Sequence, residues 1–335
     1  MMGVRNDDVR CLYRHFQGQY RHMADSSAID IGIVNYPGAQ LMAMYGLVDL
    51  FGIADRFAAK HHAQDRAFLR VSQLSGTGEG AGMPAVLILP PRLGEQISRE
   101  EAEPFVQWLL NAHRAGTMIV SVCGGAFLLA ETGLLTGRRV TTHWAHAGLF
   151  RQRFPDAILD IDRLIIDDGD IITAGGMMAW TDIGLKLVDR FLGPTIMAET
   201  AHFMLLDPPG REQKYYSAFS PVLTHGDAAV LKVQHWLQTT GGKEIPLALL
   251  ASKAGLEERT FLRRFRKATG LTPIDYCQRL RVGKARELLQ FGTLPIETIA
   301  WEVGYGDAGA FRKIFSRITG LTPGEYRQRF STSRG

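Results

Sequence analysis

The chain has 335 residues, 46% of them hydrophobic and 21% charged, and carries a formal net charge of +4. That length exceeds what one ordinary core uses and favours two domains, while the composition excludes a fibrous or disordered chain. No apolar run approaches the roughly 18 residues that span a bilayer, and three scattered cysteines (Cys11, Cys123 and Cys277) suit a reducing cytoplasm better than a disulfide framework.

Residues 1–28 show no apolar period and no secretory h-region, and read as a loose tail. "AIDIGIVNYPG" then reads as a buried strand ending in a turn at Tyr36–Pro37, and "PAVLILPP" and "GTMIVSVCGG" as two further strands. Between these two, "SREEAEPFVQWLLNAHRAG" has helical spacing, with Phe105, Leu109 and Ala112 on one side and Ser98 as N-cap. "DRLIIDDGDIITAGG" predicts two short strands joined at Asp168–Gly169, and "MAWTDIGLKLVDRFLG" a further amphipathic helix. Strands alternating with helices imply a mostly parallel sheet covered on both faces. The glycine-rich run "SGTGEGAGMP" lacks the Lys-Ser/Thr of a phosphate loop and reads as a hairpin. His61–His62 and the pair His143/His146 lack a third ligand at credible spacing, so no metal is expected.

Proline, glycine and polar residues over 207–224 mark a linker, and beyond it every pattern is helical. Residues 225–335 carry 18 Lys+Arg against 10 Asp+Glu, whereas the rest carries 20 against 24. A basic module on a mildly acidic body points to nucleic acid. That module holds a duplication: "TGLTP" starts at Thr269 and again at Thr319, and Phe261, Phe265 and Tyr276 recur as Phe311, Phe315 and Tyr326. In the first copy "LALLASKAG" is a short helix closed by Gly255, followed by "LEERTFLRRFRKATG", with Phe261, Phe265 and Ala268 on one side and Arg259, Arg263 and Arg266 opposite. In the second, "IETIAWEVG" precedes "DAGAFRKIFSRITG", with Phe311, Ile314, Phe315 and Ile318 inward and Gly309, Arg312, Lys313 and Ser316 outward. Each copy is thus a helix-turn-helix with a basic outer face, and "IDYCQRLRVGKARELLQFG" is the helix connecting them.

The two copies resemble the paired helix-turn-helix units of the AraC/XylS transcription factors over about residues 225–330. The resemblance implies recognition helices in successive major grooves, roughly 34 Å apart. Its base-facing positions fall on Arg259, Leu262 and Arg263 in the first copy and Gly309, Arg312 and Lys313 in the second.

In "MIVSVCGGAFLLAETGLLTGRRVTTHW" a strand meets a helix at Cys123–Gly124–Gly125, the layout of a nucleophile elbow. A helix N-terminus there would lower the thiol pKa, and His143 is a candidate base. The same pattern also suits a small buried hydrophobe at a strand end. Over residues 29–206 the chain resembles the ThiJ/PfpI superfamily, related to class I glutamine amidotransferases. That implies a flavodoxin-like α/β sandwich, with an effector crevice around Tyr36, Pro37, Cys123, Gly124, His143 and Trp144. Two departures, Ala43 where relatives carry Asp and Pro91 where they carry glycine, leave Cys123 and His143 as vestiges of catalysis. The whole therefore reads as a cytoplasmic regulator, an activator by expectation, with no cofactor. Its expected partners are double-stranded promoter DNA, a small, nitrogen-containing effector, a second copy and RNA polymerase. The competing reading is a cysteine amidase or glyoxalase-like enzyme with a tethered DNA-binding domain. The dimer interface is expected on the helix containing "FVQWLLNAHRAG", since the basic domain shows no spare apolar face.

Overall fold

The computed structural model describes residues 28–61, 67–75, 83–207, 212–216, 219, 221–243 and 246–331. Nearly all of the expected tail, His62 and residues 76–82 of the expected hairpin lie outside them.

The chain enters the N-terminal sheet at β1 (Ala28–Asn35) and turns into α1 (Leu41–His61). Then come β2 (Phe68–Ser75), β3 (Val86–Leu89), α2 (Arg99–Arg114) and β4 (Met118–Val122). After the elbow come α3 (Gly125–Glu131), β5 (Arg139–Val140), a single 3-10 turn over Trp144–His146 and α4 (Ala147–Arg153). The domain closes with β6 (Ile158–Leu159), β7 (Ile165–Asp167), β8 (Ile171–Ala174), α5 (Trp180–Leu192) and α6 (Pro194–Phe203). The main sheet has the order β2-β1-β3-β4-β8-β7, parallel except for the β7–β8 pair, and β5 and β6 form a separate parallel pair.

β3 and β8 are buried at every residue, as central strands covered on both faces must be. Ser98 caps α2 in a full capping box with Glu101, which the sequence pattern anticipates. The turn at Asp168–Gly169 joins two antiparallel strands as expected. Two elements escape the sequence reading. Edge strand β2 alternates Arg70, Ser72 and Gln73 with half-buried residues, so it looks like a loop. α1 has a periodic face, from Ala43 and Met44 through Leu47, Leu50 and Phe51 to Ala54, but its outer face carries exposed Leu41 and Met42 and blurs the amphipathic signal. The expectation that α2 supplies a dimer interface meets a physical obstacle: Phe105, Leu109 and Ala112 are spent on the domain's own core, and its open side is Glu103, Gln107, Asn111 and Arg114.

The C-terminal part is all helix: α7 (Ala228–Thr239), α8 (Leu247–Ala254), α9 (Glu258–Thr269), α10 (Pro273–Phe291), α11 (Ile296–Glu302), α12 (Ala308–Thr319) and α13 (Pro323–Phe330). It holds two cores. The first centres on Phe261, Phe265 and Tyr276, the second on Phe311, Phe315 and Tyr326, and α10 contributes to both. The repeated pentapeptide is the corner of each half. Gly270 and Gly320 take the left-handed conformation that ends α9 and α12. The Thr269 and Thr319 hydroxyls donate to the carbonyls of Phe265 and Phe315, while Thr272 and Thr322 cap the following helix and proline occupies its first turn.

Candidate DNA interface and effector crevice

α8–α9 and α11–α12 form the two helix-turn-helix units. On α9, Phe261 and Phe265 are fully buried, and Arg259, Leu262, Arg263 and Arg266 face solvent together with Lys267. Among the described residues Arg259, Arg263 and Arg266 make no ion pair. Arg264, on the same helix, does not belong to this face: two of its nitrogens donate to Asp227, at 2.7 and 2.9 Å, at the start of α7. On α12, Gly309, Arg312 and Lys313 are exposed and Ser316 is half-buried, so Ser316 is less available than its position on a helical wheel suggests. Arg312 donates to Glu297 on α11, so it must leave or share that partner to reach DNA. The basic domain has exposed apolar residues, Phe291 and Trp301 among them.

Of the residues expected to line a crevice, Tyr36–Pro37 follow the carboxyl end of β1 and Cys123–Gly124 that of β4, beside Pro90–Pro91 at the end of β3. Cys123 is held at φ 54°, the left-handed region that a cysteine rarely occupies, which is the strained geometry of an elbow. Gly125 behind it is obligatory, because a Cβ there would lie 2.4 Å from the Leu89 carbonyl oxygen. The Thr142 hydroxyl donates to the Cys123 carbonyl at 2.7 Å and brings the next residue, His143, into the same neighbourhood. The His143 and Trp144 rings lie 5.4 Å apart.

The chemistry of this constellation differs from that of a working elbow. Burial pushes the Cys123 thiol up to about 11, although the Gly124 N–H pulls the other way. Desolvation therefore outweighs the helix N-terminus, and the thiolate inferred from the sequence pattern does not form near neutral pH. Burial, reinforced by neighbouring His146, lowers the His143 pKa, so its ring is neutral. Its Nδ1 accepts the Ala145 N–H at 3.1 Å, which leaves the ring proton on Nε2 and no free acceptor to serve as base. Pro90 and Pro91 have no N–H to offer an oxyanion. Their carbonyls accept from the Tyr36 hydroxyl at 2.6 Å and from the Gln40 N–H at 2.7 Å. Ala43 is fully buried on α1 and offers only a methyl group, with no carboxylate.

Of the crevice residues expected from the sequence, Pro37 is exposed and His143 and Trp144 are partly so, while Cys123 and Gly124 are buried. Tyr36 is buried with its hydroxyl engaged by Pro90, so it shapes the wall and is not open to a ligand. Four contributors escape the sequence reading. Arg92 ties the Pro37 carbonyl to Glu101 and Glu95. The side-chain oxygens of Gln40 and Gln96 are buried without a hydrogen-bond partner among the described residues, and the Gln96 oxygen lies close against Gly124. Gln213 enters from the linker and accepts the Trp144 N–H at 2.9 Å. No local signal marks any of them; a glutamine in a polar stretch looks like solvent-facing chain.

The thiol state is directly checkable. Alkylation of Cys123 by iodoacetamide, followed by peptide mass spectrometry, is expected to be far slower at pH 7.5 than for an unstructured cysteine. Its rate should climb about tenfold per pH unit until the pH approaches 11. A rate that levels off below pH 8 would show an activated thiolate.

No helix among the described residues is long and apolar enough to cross a membrane, and His61 is engaged with Glu199 at 2.8 Å. Residues 250–329 match the family described as "Helix-turn-helix domain", and residues 85–190 match the "DJ-1/PfpI family". The chain is 31% identical over 219 residues to the HTH-type transcriptional regulator GlxA of Rhizobium meliloti, covering 64% of this chain and 67% of that protein. It is 26% identical over 296 residues to the HTH-type transcriptional regulator CdhR of Pseudomonas aeruginosa, covering 85% and 88%. Drosophila melanogaster DJ-1beta superposes with a TM-score of 0.42 at 18% identity, over 54% of this chain and 99% of that one.

Proposed function

Since the chain belongs to the AraC-type helix-turn-helix transcriptional regulators with a DJ-1/PfpI domain, and so regulates transcription by binding DNA, we propose that its N-terminal domain senses a small molecule and does not catalyse a reaction. The observation that carries this is the elbow itself: the strained backbone is retained around a protonated thiol, an occupied histidine acceptor and two proline carbonyls. A strained elbow on its own favours the enzyme reading, but amide hydrolysis needs a thiolate and oxyanion donors. The unpartnered amide oxygens of Gln40 and Gln96 supply acceptors for a ligand rich in N–H groups, which fits a small nitrogenous metabolite.

Such a regulator works in the cytoplasm as a homodimer at promoter DNA, with RNA polymerase as the partner of an activator. Two recognition helices on one chain cover one half-site, and linking two chains raises affinity through effective concentration. Exposed Phe203 on α6 packs edge-on against Phe57 of α1, and this open apolar face is a better candidate interface than α2. The test is selection of genomic fragments on the purified full chain. Two half-sites repeated at a fixed spacing are expected; a single half-site would exclude the dimer, and no enrichment would exclude sequence-specific binding.

A further inference from the structure

Residues 212–216 of the linker form a packed strap with two differently anchored ends. At one end Gln213, only 2% exposed, replaces a missing peptide between two loops of the α/β domain. Its Nε2 donates to the carbonyls of Thr142 at 3.0 Å and Ile161 at 2.9 Å, and its Oε1 accepts the Trp144 N–H. Glycine at 175 is what admits it, because a Cβ there would lie 2.4 Å from the Gln213 amide nitrogen. On either side Glu212 pairs with Arg163 at 2.8 Å, and the Lys214 N–H donates to the Asp162 carbonyl at 3.2 Å. The segment from Thr142 to Trp144 is therefore held between Cys123, through the Thr142 hydroxyl, and Gln213.

The other end begins one residue later and belongs to the second helix-turn-helix unit. The Lys214 carbonyl accepts from Arg286 of α10 at 2.8 Å. Lys214 and Tyr215 press on Gly320 at the end of α12, where a Cβ would come within 2.5 Å of both side chains. The Tyr216 hydroxyl accepts from Arg329 of α13 at 3.0 Å, and its ring meets Phe330 edge-on at 5.5 Å. Gln213–Tyr215 form one 3-10 turn closed by the bonds Tyr215 N–H to Glu212 and Tyr216 N–H to Gln213. A single tight turn cannot shift at one end and stay still at the other. The first unit is reached separately, further along the linker, where Phe219 packs on Tyr276 at 5.1 Å.

We propose that Gln213 is a positioning residue that passes the state of the Thr142–Trp144 segment to the second helix-turn-helix unit. An occupant of the crevice then resets one recognition helix relative to the other; this regulatory use rests on the crevice being the effector site. Coupling of this kind is reciprocal: whatever loosens the second unit's hold on the strap also loosens the crevice segment.

The test needs no effector. Hydrogen exchange is followed by mass spectrometry on the full chain, on Gly175→Ala, which pushes Gln213 out from the α/β side, and on Arg329→Ala, which removes the strap's hydrogen bond to α13 and leaves the Tyr216–Phe330 contact there. Gly175→Ala is expected to speed exchange about fivefold over residues 141–146 and also over α12 and α13, while α8 and α9 stay unchanged. Arg329→Ala is expected to speed exchange over residues 141–146, in the other domain. Effects confined in each variant to the mutated domain would make Gln213 a plug and end the proposal. If Gly175→Ala does not fold, the response of residues 141–146 to Arg329→Ala decides alone. Thermal shifts with the twenty amino acids as probes examine the effector reading independently: a crevice that binds nothing leaves this coupling standing, and a crevice that binds without it overturns it.

Discussion

Arg263→Ala is expected to weaken binding to the cognate operator by about 1–3 kcal/mol, or roughly five- to 150-fold in Kd, and to weaken binding to random DNA much less. Arg263 sits at the centre of the open face of α9, between Arg259 and Arg266 and beside Leu262, and its guanidinium carries no ion pair among the described residues. A base contact by Arg263 would break no ion pair, so the expected loss on substitution is that of the contact alone. Arg312 on α12 starts from a pair with Glu297 in which both side chains are at least half exposed. Such a pair is worth about 0–1 kcal/mol, so Arg312→Ala forfeits a smaller net gain. Gly309 beside it offers no side chain, and the first unit is therefore expected to carry most of the sequence discrimination. Fluorescence anisotropy at one fixed salt concentration measures both losses. Equal losses on operator and random DNA would place Arg263 on the phosphate backbone, whose contacts carry no sequence information.

Phe265→Ala is expected to cost about 3–5 kcal/mol, as removal of a fully buried aromatic ring does. The ring lies 5.3 Å from Phe261 and 5.4 Å, edge-on, from Tyr276, and these three dominate the first core. The second core has its own set, with Phe315 5.6 Å from Phe311 and 5.5 Å from Tyr326. The variant should therefore melt its first unit at reduced temperature while the second persists, giving an additional calorimetric transition and loss of operator binding. A single transition for all of the helical part would show that α10, which feeds both cores, welds them into one cooperative unit.

The duplicated unit was legible because its information is local. Phenylalanines spaced four apart, a glycine in the left-handed conformation and a Thr-Pro cap specify helix, stop and restart within twenty residues, wherever the chain folds. The same holds for the capping box of α2, the turn at Asp168–Gly169 and the apolar runs of β3 and β4. Edge strand β2 and helix α1 were not legible, since one is half-solvated and the other displays apolar residues outside its core face as well.

The sequence by itself determined two architectures in series, a basic recognition helix in each half of the second, and a cysteine at a strand-to-helix elbow in the first. Tertiary structure alone decided what the polar groups do. Arg263 and Arg264 are adjacent residues of one helix, yet Arg264 is taken by Asp227, 37 positions earlier in the chain. Cys123 remains a thiol because the body of the domain closes over it. Gln213 matters because Trp144, 69 residues away, directs an N–H at it. Secondary structure follows from periodicities and caps that act over a few residues. Charge, protonation and hydrogen-bond partnership follow from which distant groups share a low-dielectric neighbourhood, and no short-range pattern encodes that.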